Sequence, residues 1–151
     1  MMNALLKKLN FKNQAQLLFV NMPLDLENLI IEFSKDVKIT NDFKTTNNIE
    51  FTLIFVTTFK DVEIYTKLLH KKLTDTALLW FCFPKQSSKK YKSEVNRDNA
   101  WQVLGNLNYE PVRAVAIDND WTALRFKQVD KIKTLKRNFA ISEKGKERIK
   151  K

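Results

Sequence analysis

The chain is poor in glycine, histidine and cysteine. Its 151 residues include two glycines (Gly105 and Gly145), one histidine (His70), one cysteine (Cys82) and three prolines. Each scarcity excludes a chemistry. Nucleotide-binding turns use glycine so that backbone can approach a phosphate, and no glycine precedes Gly105. A single Cys and a single His exclude a Cys/His-rich zinc site. A lone cysteine forms no internal disulfide, which fits a reducing compartment. No stretch approaches the roughly 18 apolar residues of a membrane span, and Met1 to Lys8 lacks the apolar segment and cleavage site of a signal peptide. The expectation is a cytoplasmic protein with no membrane partner. Arginine is scarce too, five against 22 lysines. Base readers that use bidentate contacts favour arginine, so this balance points to diffuse attraction instead.

What is present is a large apolar fraction, 44%, with eleven phenylalanines. A chain of this length is most simply one domain with a core of its own. The net charge of +10 is unevenly placed: Lys127 to Lys151 holds ten basic and three acidic residues, and the rest is nearly balanced. The division expected is one domain over 1–129 and a basic tail over 130–151, partly helical or mobile.

Organisation centres on Ala77 to Pro84, an apolar run that reads as a strand buried on both faces. Pro84 lacks an N–H and ends the ladder. The chain then enters Lys85 to Lys92, with four lysines and no acid. Before this lie a short helix over Ala4 to Leu9, strands over Ala15 to Val20, Val37 to Thr40 and Ile49 to Val56, and helices over Leu24 to Phe33 and from Thr58 to about Leu73. Leu26, Leu29, Ile30 and Phe33 share one face of the first of these, and Thr58 with Asp61 matches a capping box in the second. After the lysine loop, a helix is expected over Glu94 to Leu107, then strands over Val112 to Ile117 and Trp121 to Val129. The last two are joined too closely to be anything but antiparallel. Strands alternating with helices imply an α/β sandwich of three layers around a mostly parallel sheet.

In the tail, Ile132, Leu135 and Phe139 suit a helix over Asp130 to Phe139. Ser142 caps a second short helix through Lys150, in which Gly145 costs about 1 kcal/mol relative to Ala.

Several stretches resemble a bacterial family of short domains of unknown function: Leu5 to Leu9, Leu18 to Pro23, Leu53 to Thr57, Leu79 to Lys85 and Ala116 to Phe126. The Pro84-Lys85 and Asp118-to-Trp121 pieces are the most specific, although similar chains often carry Ser-Gly where this one has Thr122-Ala123. The resemblance implies no activity. The order of helices, strands and terminal hairpin also resembles class I methyltransferases, a Rossmann-like fold, with one strand-helix unit missing from the first half. That resemblance implies a six-stranded sheet of order 2-1-3-4-6-5.

Ligands of open α/β sheets bind beyond the carboxyl ends of the strands, at the switch point between strands one and three. The turn from Asn21 to Leu26 has no glycine, and Asp25 and Glu27 compete with a phosphate for the helix's positive end. No cofactor is therefore expected. Asp42 after the second strand is a candidate for a ribose, although a polar loop residue is the plainer reading. Cys82 lies between phenylalanines, where thiols are inert, and no metal site is expected. Asp118 and Asp120 read as turn residues before cation ligands.

The candidate edge pocket is Asn21, Thr57, Lys85, Asp118 and Trp121, with a structural Lys85–Asp118 ion pair as the competing account. Candidate polyanion contacts are Lys89, Lys90, Lys92, Lys144, Lys146 and Arg148. The reading is a non-catalytic binding or interaction module for an acidic partner, either non-specific nucleic acid or an acidic protein. The alternatives are an enzyme on a small anionic substrate using Lys85 and Asp118, and a structural or oligomer-forming subunit.

Overall fold

The computed structural model describes residues 2–132 and 140–150. The strands are β1 (Leu17–Val20), β2 (Ile39–Thr40), β3 (Ile49–Phe55), β4 (Leu73–Pro84), β5 (Tyr109–Ala116) and β6 (Trp121–Gln128). They form one sheet of order β2-β1-β3-β4-β6-β5. β1 to β4 run parallel, and β6 is antiparallel to both β4 and β5. The order is the one expected.

Both faces of the sheet are covered, as the apolar run in β4 requires. Leu79, Phe81 and Phe83 enter one core with Val62 and Leu69 of α3 (Phe59–Leu69). Leu78, Trp80 and Cys82 enter the other, with Leu6 of α1 (Ala4–Lys8) and Phe33 of α2 (Glu27–Ser34). Each such side chain, fully removed from water, contributes about 1.5–3 kcal/mol. Thr58 and Asp61 form the expected capping box at the start of α3.

The expected helix over Glu94 to Leu107 is a correction. Only Gln102–Gly105 is helical, as α4. Upstream, polar side chains satisfy the backbone locally: Ser93 Oγ accepts from Val95 N at 2.9 Å, Asn99 Oδ1 from Asn96 N at 2.7 Å and Asn96 Oδ1 from Asp98 N at 2.8 Å. Ser, Asn and Asp compete with a helix in this way. Ala100 also adopts φ 71°, which no helix residue does. Trp101 and Leu104 still point into the core. α3 is shorter than expected, giving way to a 3-10 turn over His70–Lys72, and β4 begins at Leu73. β5 begins at Tyr109, so Glu110 lies inside the sheet rather than before it.

Glu110 is fully buried. Its Oε2 accepts from Ile141 N at 3.0 Å, Ser142 N at 2.6 Å and Ser142 Oγ at 2.6 Å. Ser142 Oγ in turn accepts from Gly145 N at 2.9 Å, capping α5 (Glu143–Lys150). Arg148 Nη1 donates to Val129 O at 2.7 Å and Ile132 O at 2.8 Å. Both glycines serve this junction. A Cβ on Gly105 would lie 2.6 Å from Ile141 O, and one on Gly145 would lie 2.6 Å from Glu110 Oε2. The helix expected over Asp130 to Phe139 falls mostly outside the described residues; Val129–Lys131 form a 3-10 turn.

Helix propensity alone favours Gly145→Ala by about 1 kcal/mol. The junction reverses the sign. Overpacking against Glu110 is expected to cost about 1–3 kcal/mol, read as a lower urea midpoint, and a stabilised variant would show that α5 does not dock on Glu110.

Candidate functional site

The loops at the carboxyl edge of the sheet are fastened to one another by the chain's own side chains. At the switch point, Asn21 follows β1 with φ 57°, the left-handed region where glycine is usual. Its Nδ2 donates to Phe55 O, the last residue of β3, at 2.8 Å. The asparagine thus closes the gap between β1 and β3.

The segment after β4 then crosses the edge as a strap. Lys85 N donates to Asp120 O at 2.7 Å, and Ser88 Oγ to Asp120 Oδ1 at 2.9 Å, which ties the strap to the β5–β6 turn. Tyr91 packs edge-on against Trp121, with ring centroids 5.0 Å apart. Its hydroxyl reaches Asp25 Oδ2, just beyond β1, at 2.7 Å. Lys90 Nζ lies 3.2 Å from the same oxygen. Ser93 Oγ and Glu94 N both donate to Thr57 O, at 3.2 and 2.9 Å. Val95 then enters the core on the opposite face.

The five candidate pocket residues are all at this edge, yet they do not converge on a cavity. Thr57 N donates to Asp61 Oδ2 at 3.0 Å, as part of the α3 cap. Trp121 is buried, 1% exposed, between Phe55 and Tyr91. Asp118 Oδ1 accepts from the backbone of Asp120 and Trp121, both at 2.8 Å, so it is turn chemistry. A Lys85–Asp118 ion pair is not found among the described residues. The two loops are joined instead by Lys85 backbone and by Ser88, both through Asp120. Lys85 is half-buried and lines two clefts beside the strap, of about 500 and 300 Å³.

The candidate polyanion residues divide between opposite ends of the sheet. Lys89, Lys90 and Lys92 are exposed on the strap. Lys144, Lys146 and Arg148 lie on α5, beside the start of β5 and the end of β6. Lys144 pairs with Asp130 at 3.1 Å and Lys146 approaches Glu143 at 3.9 Å. Arg148 is committed to backbone carbonyls and acts as an anchor.

Asp42 bonds Thr45 through both its oxygens, which lowers its pKa and marks it as a loop residue. Burial pushes the Cys82 thiol well up, and His70 precedes the opposite end of β4. No group of three potential metal ligands occurs among the described residues, and no described helix is long and apolar enough to cross a membrane.

No family model and no curated protein matches the chain. Among solved structures it is similar to a "putative type 11 methyltransferase" from Sulfolobus solfataricus, with a TM-score of 0.48 and 12% identity over 82% of this chain and 76% of that one. The likeness is distant and assigns no family. The methyltransferase-like arrangement rests on the sheet order itself. A ligand at the switch point would meet Asn21, bonded to Phe55, and Tyr91, bonded to Asp25.

Asp25 and Tyr91 are the residues that sequence reasoning missed as partners. They are 66 positions apart, and no local pattern links them. The Tyr91 hydroxyl, then Lys90, hold the Asp25 carboxyl below its ordinary range. Its contribution is complete above the unfolded aspartate pKa and is lost as pH falls through the depressed folded value. Burial, then the bond to Asp25, raise the Tyr91 phenol, so the donor keeps its proton at neutral pH. Hydrogen exchange of the Tyr91 and Glu94 amides, corrected for intrinsic rates, should quicken in acid and in Tyr91→Phe at neutral pH. Unchanged exchange in both would mean that Asp25 does not fasten the strap.

Proposed function

We propose that this chain is a non-catalytic binding module for an acidic, polyanionic partner. The observation that carries the reading is the bonding across the switch point at the carboxyl edge. The place where a Rossmann-like sheet ordinarily offers a ligand crevice is filled by the Asn21–Phe55 bond and the Tyr91 strap. Fold alone confers no activity, and of the two edge residues an enzyme would use, the Asp118 carboxylate is engaged in its own turn.

The net charge of +10 supplies the attraction. Its exposed carriers include Lys89 and Lys92 on the strap and Lys144 and Lys146 on α5. Surface pairs such as Lys144–Asp130 are worth about 0–1 kcal/mol, so those lysines exchange partners readily. Lysine is a mobile point charge without bidentate geometry, which suits contact with phosphates or clustered carboxylates rather than bases.

Binding to random-sequence duplex DNA should fall steeply between about 50 and about 200 mM salt, as counterion release requires, and should show no sequence preference. Each lysine that contacts a phosphate contributes about 0.9 to the log-log slope. Lys144→Gln with Lys146→Gln should flatten it by up to about twice that, without altering the fold. No binding at low salt to DNA or to an acidic polypeptide, or binding indifferent to salt, would refute the reading.

A further inference from the structure

The end of the sheet opposite the strap carries a cleft. β4 and β6 pair from Leu79↔Phe126 to Pro84↔Trp121. Below Leu79 the two chains part and leave a space of about 310 Å³, within the range of small-ligand sites. Among the described residues lining it, Arg125, Lys127 and Lys131 are cationic and only Asp75 is acidic.

Arg125 is the unusual member. It is half-buried, its cross-strand neighbour on β5 is Arg113, and it forms no ion pair with any described residue. Its Nε is sealed from water without a hydrogen-bond partner, and so is Oγ1 of Thr74 on the facing strand. Desolvation and Arg113 both depress the Arg125 pKa. A buried charge is costly unless it is paired, and here one cation adjoins others.

We propose that this cleft binds a small oxyanion-bearing ligand, with the Arg125 guanidinium as its anchor and Lys131 at its rim. Because Nε is sealed, the anion meets the Nη end of the guanidinium. The planar donor edge suits phosphate and carboxylate alike. Neither Lys144 nor Lys146 lines the cleft, so the site stands whether or not the chain binds polyanions.

Calorimetry on the full-length protein with inorganic pyrophosphate, and separately with citrate, tests this. One of the two should bind with 1:1 stoichiometry. A preference for pyrophosphate identifies a phosphorylated ligand, and a preference for citrate a polycarboxylate. Arg125→Gln should weaken binding at least about tenfold, the scale of one charge-assisted bond, whereas Lys60→Gln, exposed on α3 at the far end, should leave it unchanged. Arg125→Gln removes an unpaired cation and is expected to melt no lower than the parent. Should it misfold, the exposed Lys131→Gln decides, with weakening of about threefold expected. Absence of heat with either anion at about 5 mM would overturn the proposal. Equal weakening by Lys60→Gln, or no change in Lys131→Gln where Arg125→Gln misfolds, would do so too.

Discussion

The strap from Lys85 to Glu94 is the constraint on which the upper half of the molecule depends. It is bonded in turn to the β5–β6 turn, to Asp25 beyond β1 and to Thr57 beyond β3. Three loops that follow three different strands are thereby held in one arrangement. Its central contact, Tyr91 on Trp121, adds an aromatic edge-to-face pair worth about 0.5–1.5 kcal/mol beyond burial. In an open α/β sheet these same loops would be the binding elements. Here their polar groups face one another, and the sheet's customary crevice becomes part of the structural framework.

Much of the fold was legible in the sequence because it follows from local pattern. The apolar run of β4, the Thr58–Asp61 cap and the close joining of β5 to β6 each dictate their element with little tertiary help. The sheet order came from resemblance rather than from periodicity. The helix expected over Glu94 to Leu107 failed because Ser93, Asn96 and Asn99 bond nearby backbone more readily than they extend a helix. Trp101 and Leu104 gave that stretch a helical apolar spacing which α4 and the preceding turns satisfy equally well. At the site, the edge positions of Asn21, Thr57, Lys85, Asp118 and Trp121 were legible from topology. The local bonds, Asp118 within its turn and Thr57 to Asp61, follow from short spacing, whereas those of Asn21 to Phe55 and of Lys85 to Asp120 were not legible, since each partner comes from a distant segment.

The two glycines show how scarcity itself carries information. Read locally, Gly145 is a weak helix residue. In three dimensions both are points of close approach, where the segment from Ala140 to Lys150 meets β5 and α4. The basic tail is joined to the body at a buried carboxylate, Glu110, which receives two backbone amides and a hydroxyl. Charged helix and cleft therefore lie at the same end of the sheet, away from the strap. The two ends of one fold carry different chemistry, with polar groups paired internally at the carboxyl edge and cations in excess at the other.

The central claim is that the chain's own side chains bond across the carboxyl edge of its sheet, at the switch point. Titration calorimetry of the intact protein with S-adenosylmethionine at neutral pH addresses this most directly. The account predicts no saturable heat up to about millimolar ligand, the weak limit near −4 kcal/mol. Micromolar binding at 1:1 stoichiometry would contradict it, because the ligand would have to displace Asn21 from Phe55 and Tyr91 from Asp25.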